Sequence, residues 1–378
     1  MSRRLLAASI VAFVACACGH SNAAAPVPTT NPTAAISQSA LDTISQRYRA
    51  ACHSPGAAIG LRTADGITHF AVSGRLAPGI ALDRDSEFLA GSVTKLFVAT
   101  VAYQLIADHK LASGATVDQY IPGWPRGNQI TIAMLLGHRS GMGDFGNDFG
   151  QQLTDLVLHD LTRVFSYTEV LNLVRAVPRV APPGSTYHYS NANYIVLGAI
   201  LQRITHATLG QLIDTRIIVP LHLSHTLYGP DNLGAADHIL FHGLFDVTGT
   251  GHPIDIGTLP RAAALTVDPA GAGLFSSLPD LLTFAHAAFA TDALLSPSHR
   301  ADLARAVGTL TATELLLGKQ YVIEGHGGAS PGAQTIVAYD APHATTVAVW
   351  CNRLVPGTNE LLASVIAARQ TFQLARRA

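Results

Sequence analysis

Ser92-Val93-Thr94-Lys95 sets a hydroxyl and an amine three positions apart at the head of a long apolar run. On a helix, positions i and i+3 share one face, a turn apart. A serine hydroxyl is a weak nucleophile until a base within hydrogen-bond reach takes its proton. A lysine can be that base where burial in an apolar helix favours its neutral form. The positive end of the helix dipole favours negative charge developing at the serine. Taken alone, the pair is better read as a helix cap followed by a snorkelling lysine.

Two further clusters could complete a site. Tyr189-Ser190-Asn191 follows the Pro182-Pro183-Gly184 break. There a phenol could pass a proton and an amide could hold a substrate carbonyl. His326-Gly327-Gly328 precedes an apolar run near the C-terminus, and paired glycines let a ligand approach backbone closely. A backbone N–H there, together with that of Ser92, could form an oxyanion hole.

The elements that must carry these residues are legible. A helix is expected at about 39–51, capped by Ser39, with Leu41, Ile44 and Tyr48 on one face. AAIGLRT and ITHFAVSG read as a hairpin turning at Ala64-Asp65-Gly66. Helix is expected from Gly91 to Leu111, and helices with long loops from about 115 to 280. Ser277 and Asp280 mark a further helix start. GAQTIVAYDA and TTVAVWCNR read as strands around Pro342-His343, before a closing helix at about 359–374. Strands at both ends and helices between predict an α/β sheet domain from 37–114 and 281–378, with a mainly helical domain of 115–280 inserted.

Composition narrows the function. With 378 residues, 48% hydrophobic, 13% charged and a net charge of −1, the chain can bury a large core and offers no basic run for a phosphate backbone, so no nucleic-acid partner is expected. Residues 1–23 read as a signal peptide: Arg3 and Arg4 precede an apolar stretch too short to span a membrane. Export follows, either to a secreted or periplasmic location or, through a lipid on Cys16 or Cys18, to the outer face of the cell membrane. Residues 24–36 read as a disordered linker.

The order of the three clusters resembles the β-lactamase, penicillin-binding protein and DD-peptidase superfamily of serine hydrolases. The likeness is greatest to its class C-like branch with histidine in the third motif. FLAGSVTK, TIAMLLGHRSGM, APPGSTYHYSNANYIVLGAIL, AGAGLFSSLPDLLTF and GHGGASPGAQT carry the resemblance. It implies an antiparallel sheet of five or more strands flanked by the terminal helices. Ser92 would be the acylated nucleophile, Lys95 its base partner and Tyr189 the acid that protonates the leaving group. Asn191 would bind the substrate carbonyl, His326 and Gly328 would edge the pocket, and Ala329 would supply the second oxyanion N–H. The first and last strands would be neighbours, so a Cys52–Cys351 disulfide is expected. The substrate would be a small molecule or peptide of the cell envelope: a D-amino-acid peptide, a β-lactam or a small ester. The alternative is a non-catalytic penicillin-binding-like envelope protein. The chain is read as a monomer.

The third motif departs from the pattern. Gly327 stands where carboxylate-binding members carry a hydroxyl, and His326 replaces a fixed cation. Arg139 and Arg261 are the alternative anchors for a substrate carboxylate. The run ELLLGKQYVIEG suggests a short third strand, and Gly141–Asp155 a lid. His138 is expected to hold a loop, and Trp124 and Trp350 to pack. Despite 17 histidines, His238-x-x-x-His242 and the neighbouring His222 and His225 lack a metal-site pattern, so no metal or cofactor is expected.

Overall fold

The computed structural model describes residues 35–144, 150–247, 250–307, 309–313, 320–354 and 360–378. The signal segment, Cys16, Cys18, nearly all of the linker and the middle of the expected lid lie outside them. Among the described residues the main sheet has seven strands, numbered here β1 Gly56–Arg62, β2 Thr68–Ala77, β3 Ile80–Ala81, β4 Thr309–Thr313, β5 Gln320–Ser330, β6 Ala333–Asp340 and β7 Thr345–Cys351. Their order is β3-β2-β1-β7-β6-β5-β4, antiparallel throughout. The N-terminal hairpin joins the C-terminal strands through β1 and β7, with Ala57 opposite Cys351 and Arg62 opposite Thr346.

Alternation along these strands explains why both faces are covered. Ile59, Leu61, Ile336, Val347 and Val349 point to a layer made by α1 (Gln38–Ala51) and the C-terminal helix Glu360–Ala375. Ala58, Val337, Ala348 and Trp350 point the other way, into the larger core shared with the helical region. Trp350 packs face to face with Phe88, ring centroids 4.7 Å apart. That core also holds α2 (Thr94–Ala107), which is apolar all round and buried on nearly every side. Among the described residues no helix is long and apolar enough to cross a membrane.

Several local expectations change. The cap of α1 is Ser37, whose hydroxyl accepts from Ala40 N–H; Ser39 lies inside the helix. α2 ends at Ala107, because His109 adopts a left-handed backbone and breaks the run before Leu111. The third strand is not short: β5 has 11 residues, paired on both sides. The Cys52–Cys351 disulfide is not formed, and both residues are buried thiols. Cys52 closes the last turn of α1, whereas Cys351 sits in the sheet opposite Ala57; both pack in the layer that holds Tyr48.

Candidate active site

Ser92 sits in a single 3-10 turn, Gly91–Val93, that feeds directly into α2. The turn is tied down from behind. Thr94 Oγ1 donates to Gly91 O (2.7 Å) and accepts from Leu274 N–H (3.2 Å), and Ala90 N–H donates to Leu274 O (2.8 Å). One helical step on, Lys95 is fully buried, and its Nζ donates to Ser92 Oγ (3.0 Å) and to Gly271 O (2.9 Å). The amine lies among aromatic rings: Nζ is 5.2 Å from the Tyr189 ring centre and 5.9 Å from that of Tyr194.

Tyr189 arrives from a different part of the chain, on the loop before the helix Asn191–Thr205. Its hydroxyl donates to Ser92 Oγ at 2.9 Å. Ser92 Oγ therefore lies within hydrogen-bond distance of both an amine and a phenol. Asn191 opens the helix; its backbone N–H donates to Asp144 Oδ1 (2.9 Å), and its own Oδ1 is buried with no hydrogen-bond partner among the described residues.

β5 passes against the nucleophile turn, and two glycines permit it. Gly91 has φ +55°, and a Cβ there would lie 2.8 Å from Ala329 N. A Cβ on Gly328 would lie 2.0 Å from Ala90 O and 3.2 Å from Ser92 N. The two glycines thus let β5 lie directly against the nucleophile turn, with the backbone of Ala329 facing Gly91 and that of Ala90 and Ser92 facing Gly328. His326, half-buried on the same strand, has its ring centre 6.2 Å from that of Tyr189. Burial first, and then the charge on Lys95, push its pKa down to about 4, so it is neutral at physiological pH.

Some residues outside the expected set belong to this site. Asp268 precedes Pro269 at a helix start, a pattern that reads as a cap, yet its side chain makes no capping hydrogen bond. Its carboxylate lies instead over Gly271, where a Cβ would meet its oxygens at 2.2 and 2.4 Å. Burial and the neighbouring Asp144 raise its pKa to about 6 against the opposing pull of Lys95. His138 is buried beneath the Tyr189 ring, centroids 4.4 Å apart and planes 28° from parallel. Burial, then Lys95 and His326, hold its pKa well below the usual imidazole range.

The two arginines divide. Arg139 is exposed on its loop. Arg261 does not present its guanidinium as an open anchor: it donates to the carbonyls of Ala236 (2.9 Å), Ile239 (3.3 Å) and Gly257 (3.4 Å). His242, half of the helically spaced pair, hydrogen-bonds Asp255 at 2.7 Å.

Residues 41–370 match the profile of the Beta-lactamase family. The chain belongs to the Beta-lactamase family. It is 30% identical over 229 residues to an unguisins hydrolase of Aspergillus violaceofuscus, covering 56% of this chain and 38% of that protein. It is 29% identical over 187 residues to penicillin-binding protein 4 of Amycolatopsis lactamdurans, covering 47% and 46%. The matches thus span less than half of these curated relatives. Among solved structures, the D-amino acid amidase of Ochrobactrum anthropi superposes with a TM-score of 0.76 at 18% identity, over 89% of this chain and 98% of that one. A penicillin-binding protein of Bacillus halodurans superposes with a TM-score of 0.68 at 21% identity, over 86% and 99%. These two establish the shared Beta-lactamase family fold, a mixed α/β architecture around an antiparallel sheet.

Proposed function

We propose that this chain is an exported serine hydrolase that acylates Ser92 with the carbonyl group of an amide or ester. The observation that carries the reading is the pair of hydrogen bonds converging on Ser92 Oγ, from Lys95 at 3.0 Å and Tyr189 at 2.9 Å. Whichever of the two is deprotonated takes the Ser92 proton as Oγ attacks the carbonyl carbon. The tetrahedral oxygen then faces the N–H groups of Ser92 and Ala329. Tyr189 returns a proton to the departing amine or alkoxide, the acyl–Oγ bond remains, and water reverses the sequence to release the acid. Asn191 holds the substrate carbonyl or side amide, and His326 and Gly328 form the rim.

The substrate carries no essential carboxylate in this reading. Gly327 supplies no hydroxyl, His326 is neutral and Arg261 is committed to three backbone carbonyls, which leaves the exposed Arg139 as the remaining candidate guanidinium. A D-amino-acid amide or a small ester fits this rim better than a β-lactam or a carboxylate-ended peptide. The test is incubation with a fluorophosphonate, a fluorescent penicillin, a p-nitrophenyl ester and a D-amino-acid amide, with intact mass and peptide mapping. An adduct on Ser92, ester or amide turnover and weak penicillin labelling are expected. An adduct mapping elsewhere, or turnover that survives Ser92→Ala, overturns the nucleophile assignment.

A further inference from the structure

His138 does more than fill space under the site. Its backbone is left-handed, φ +53°, and it contacts both sides of Tyr189. The carbonyl oxygen of His138 accepts from His188 N–H at 2.9 Å. Its ring Nδ1 accepts from Ser190 N–H at 3.2 Å. Between those two bonds the imidazole plane lies against the Tyr189 ring, with Tyr194 at 5.2 Å from its centre and Tyr187 edge-on at 5.9 Å. A backbone N–H can only donate, so Nδ1 must keep its lone pair; Asn193 Nδ2, 3.3 Å away, is a second donor to the same atom. Three contacts from one residue thus fix the backbone on either side of Tyr189 and the plane of its ring.

We propose that His138 is the positioning residue that holds the Tyr189 hydroxyl on Ser92 Oγ. The proposal rests on the reading that Tyr189 protonates the leaving group. It makes a specific demand: loosening Tyr189 must harm substrates whose leaving group needs a proton. An amine leaves a tetrahedral intermediate only once protonated, whereas p-nitrophenolate leaves without help. A general loss of fold would harm both alike.

The experiment compares kcat/KM for an amide and a p-nitrophenyl ester of the same acyl group. His138→Asn tolerates the left-handed backbone and removes the ring. His138→Gly, which suits the left-handed backbone at no steric cost and also removes the ring, serves if the first variant does not fold. Each is expected to lower amide turnover at least about tenfold more than ester turnover, since misplacements on the order of 1 Å cost roughly a hundredfold. Tyr189→Phe should discriminate the same way, and the double variant should be no worse than Tyr189→Phe alone. Equal losses on both substrates, or additive losses in the double variant, overturn the role of His138. If Tyr189→Phe itself fails to discriminate, the leaving-group assignment falls first and the proposal falls with it.

Discussion

Gly328→Ala tests the geometry of the proposed oxyanion contact. The added Cβ would stand 2.0 Å from Ala90 O, a separation that real Cβ atoms do not show, and 3.2 Å from Ser92 N. The obstacle is backbone, not the tip of a flexible side chain. Ala90 is held by its bond to Leu274 O, and β5 by its pairing with β6, so neither can yield alone. Restoring an ordinary contact requires the strand and the turn to part by roughly 1 Å. Donors of an oxyanion hole work at about 2.7–3.1 Å, so that shift removes one of them, and such a loss costs about 10²–10³ in kcat. The assay is steady-state hydrolysis of a p-nitrophenyl ester, beside circular dichroism and thermal melting to show that the variant is folded. Gly114→Ala is the control, because a Cβ there meets nothing within 4 Å. A folded Gly328→Ala with kcat within threefold of the parent would refute the idea that the close approach of β5 serves turnover.

Three other outcomes are expected. Trp350→Ala should destabilise by about 3–5 kcal/mol, because the ring is buried against Phe88; denaturant unfolding measures it. Arg261→Lys should lower stability by about 1–3 kcal/mol, because carbonyls served by the guanidinium fork lose partners. Its KM should not change, and a rise confined to carboxylate-bearing substrates would show that Arg261 binds them. Acid stability should reflect two opposed groups. His326 takes its proton near pH 4 when folded but near its usual value when unfolded, so its contribution falls as pH drops through that window. Asp268, raised to about 6, binds its proton more readily when folded, so its contribution rises on acidification between its ordinary carboxylate value and 6. Melting temperature against pH should therefore fall more steeply in acid for Asp268→Asn than for the parent, and less steeply for His326→Gln; parallel curves would contradict both assignments.

How much of this was legible depends on the range of each signal. The apolar runs in AAIGLRT and TTVAVWCNR are local signals, so the strands are readable from them, and their presence at opposite ends of the chain implies one sheet. The Ser92–Lys95 pair was visible because a helical turn is a local ruler. Tyr189 stood out through the resemblance, since nothing nearby in sequence says which phenol meets Ser92 Oγ 97 positions away. Asp268 was hidden because Asp-Pro at a helix start is explained by capping alone. The structure departs from the expected disulfide for a related reason. Adjacent strands bring two segments together, but they do not choose which side chains meet, and the register set Ala57 opposite Cys351.

The same distinction bears on what the site selects. Lys95 is enclosed by Ser92 Oγ, Gly271 O and two aromatic rings, so its donors face the reacting oxygen and the backbone, not a distant substrate group. The two imidazoles beside it are neutral because burial and Lys95 itself discourage a second positive charge. Asp268 lies near enough to Lys95 for the two charges to interact. In the proposed reading, selection falls to the shape and hydrogen bonding of the rim, where exchange of His326 or Gly327 should change the acyl group accepted without disabling Ser92.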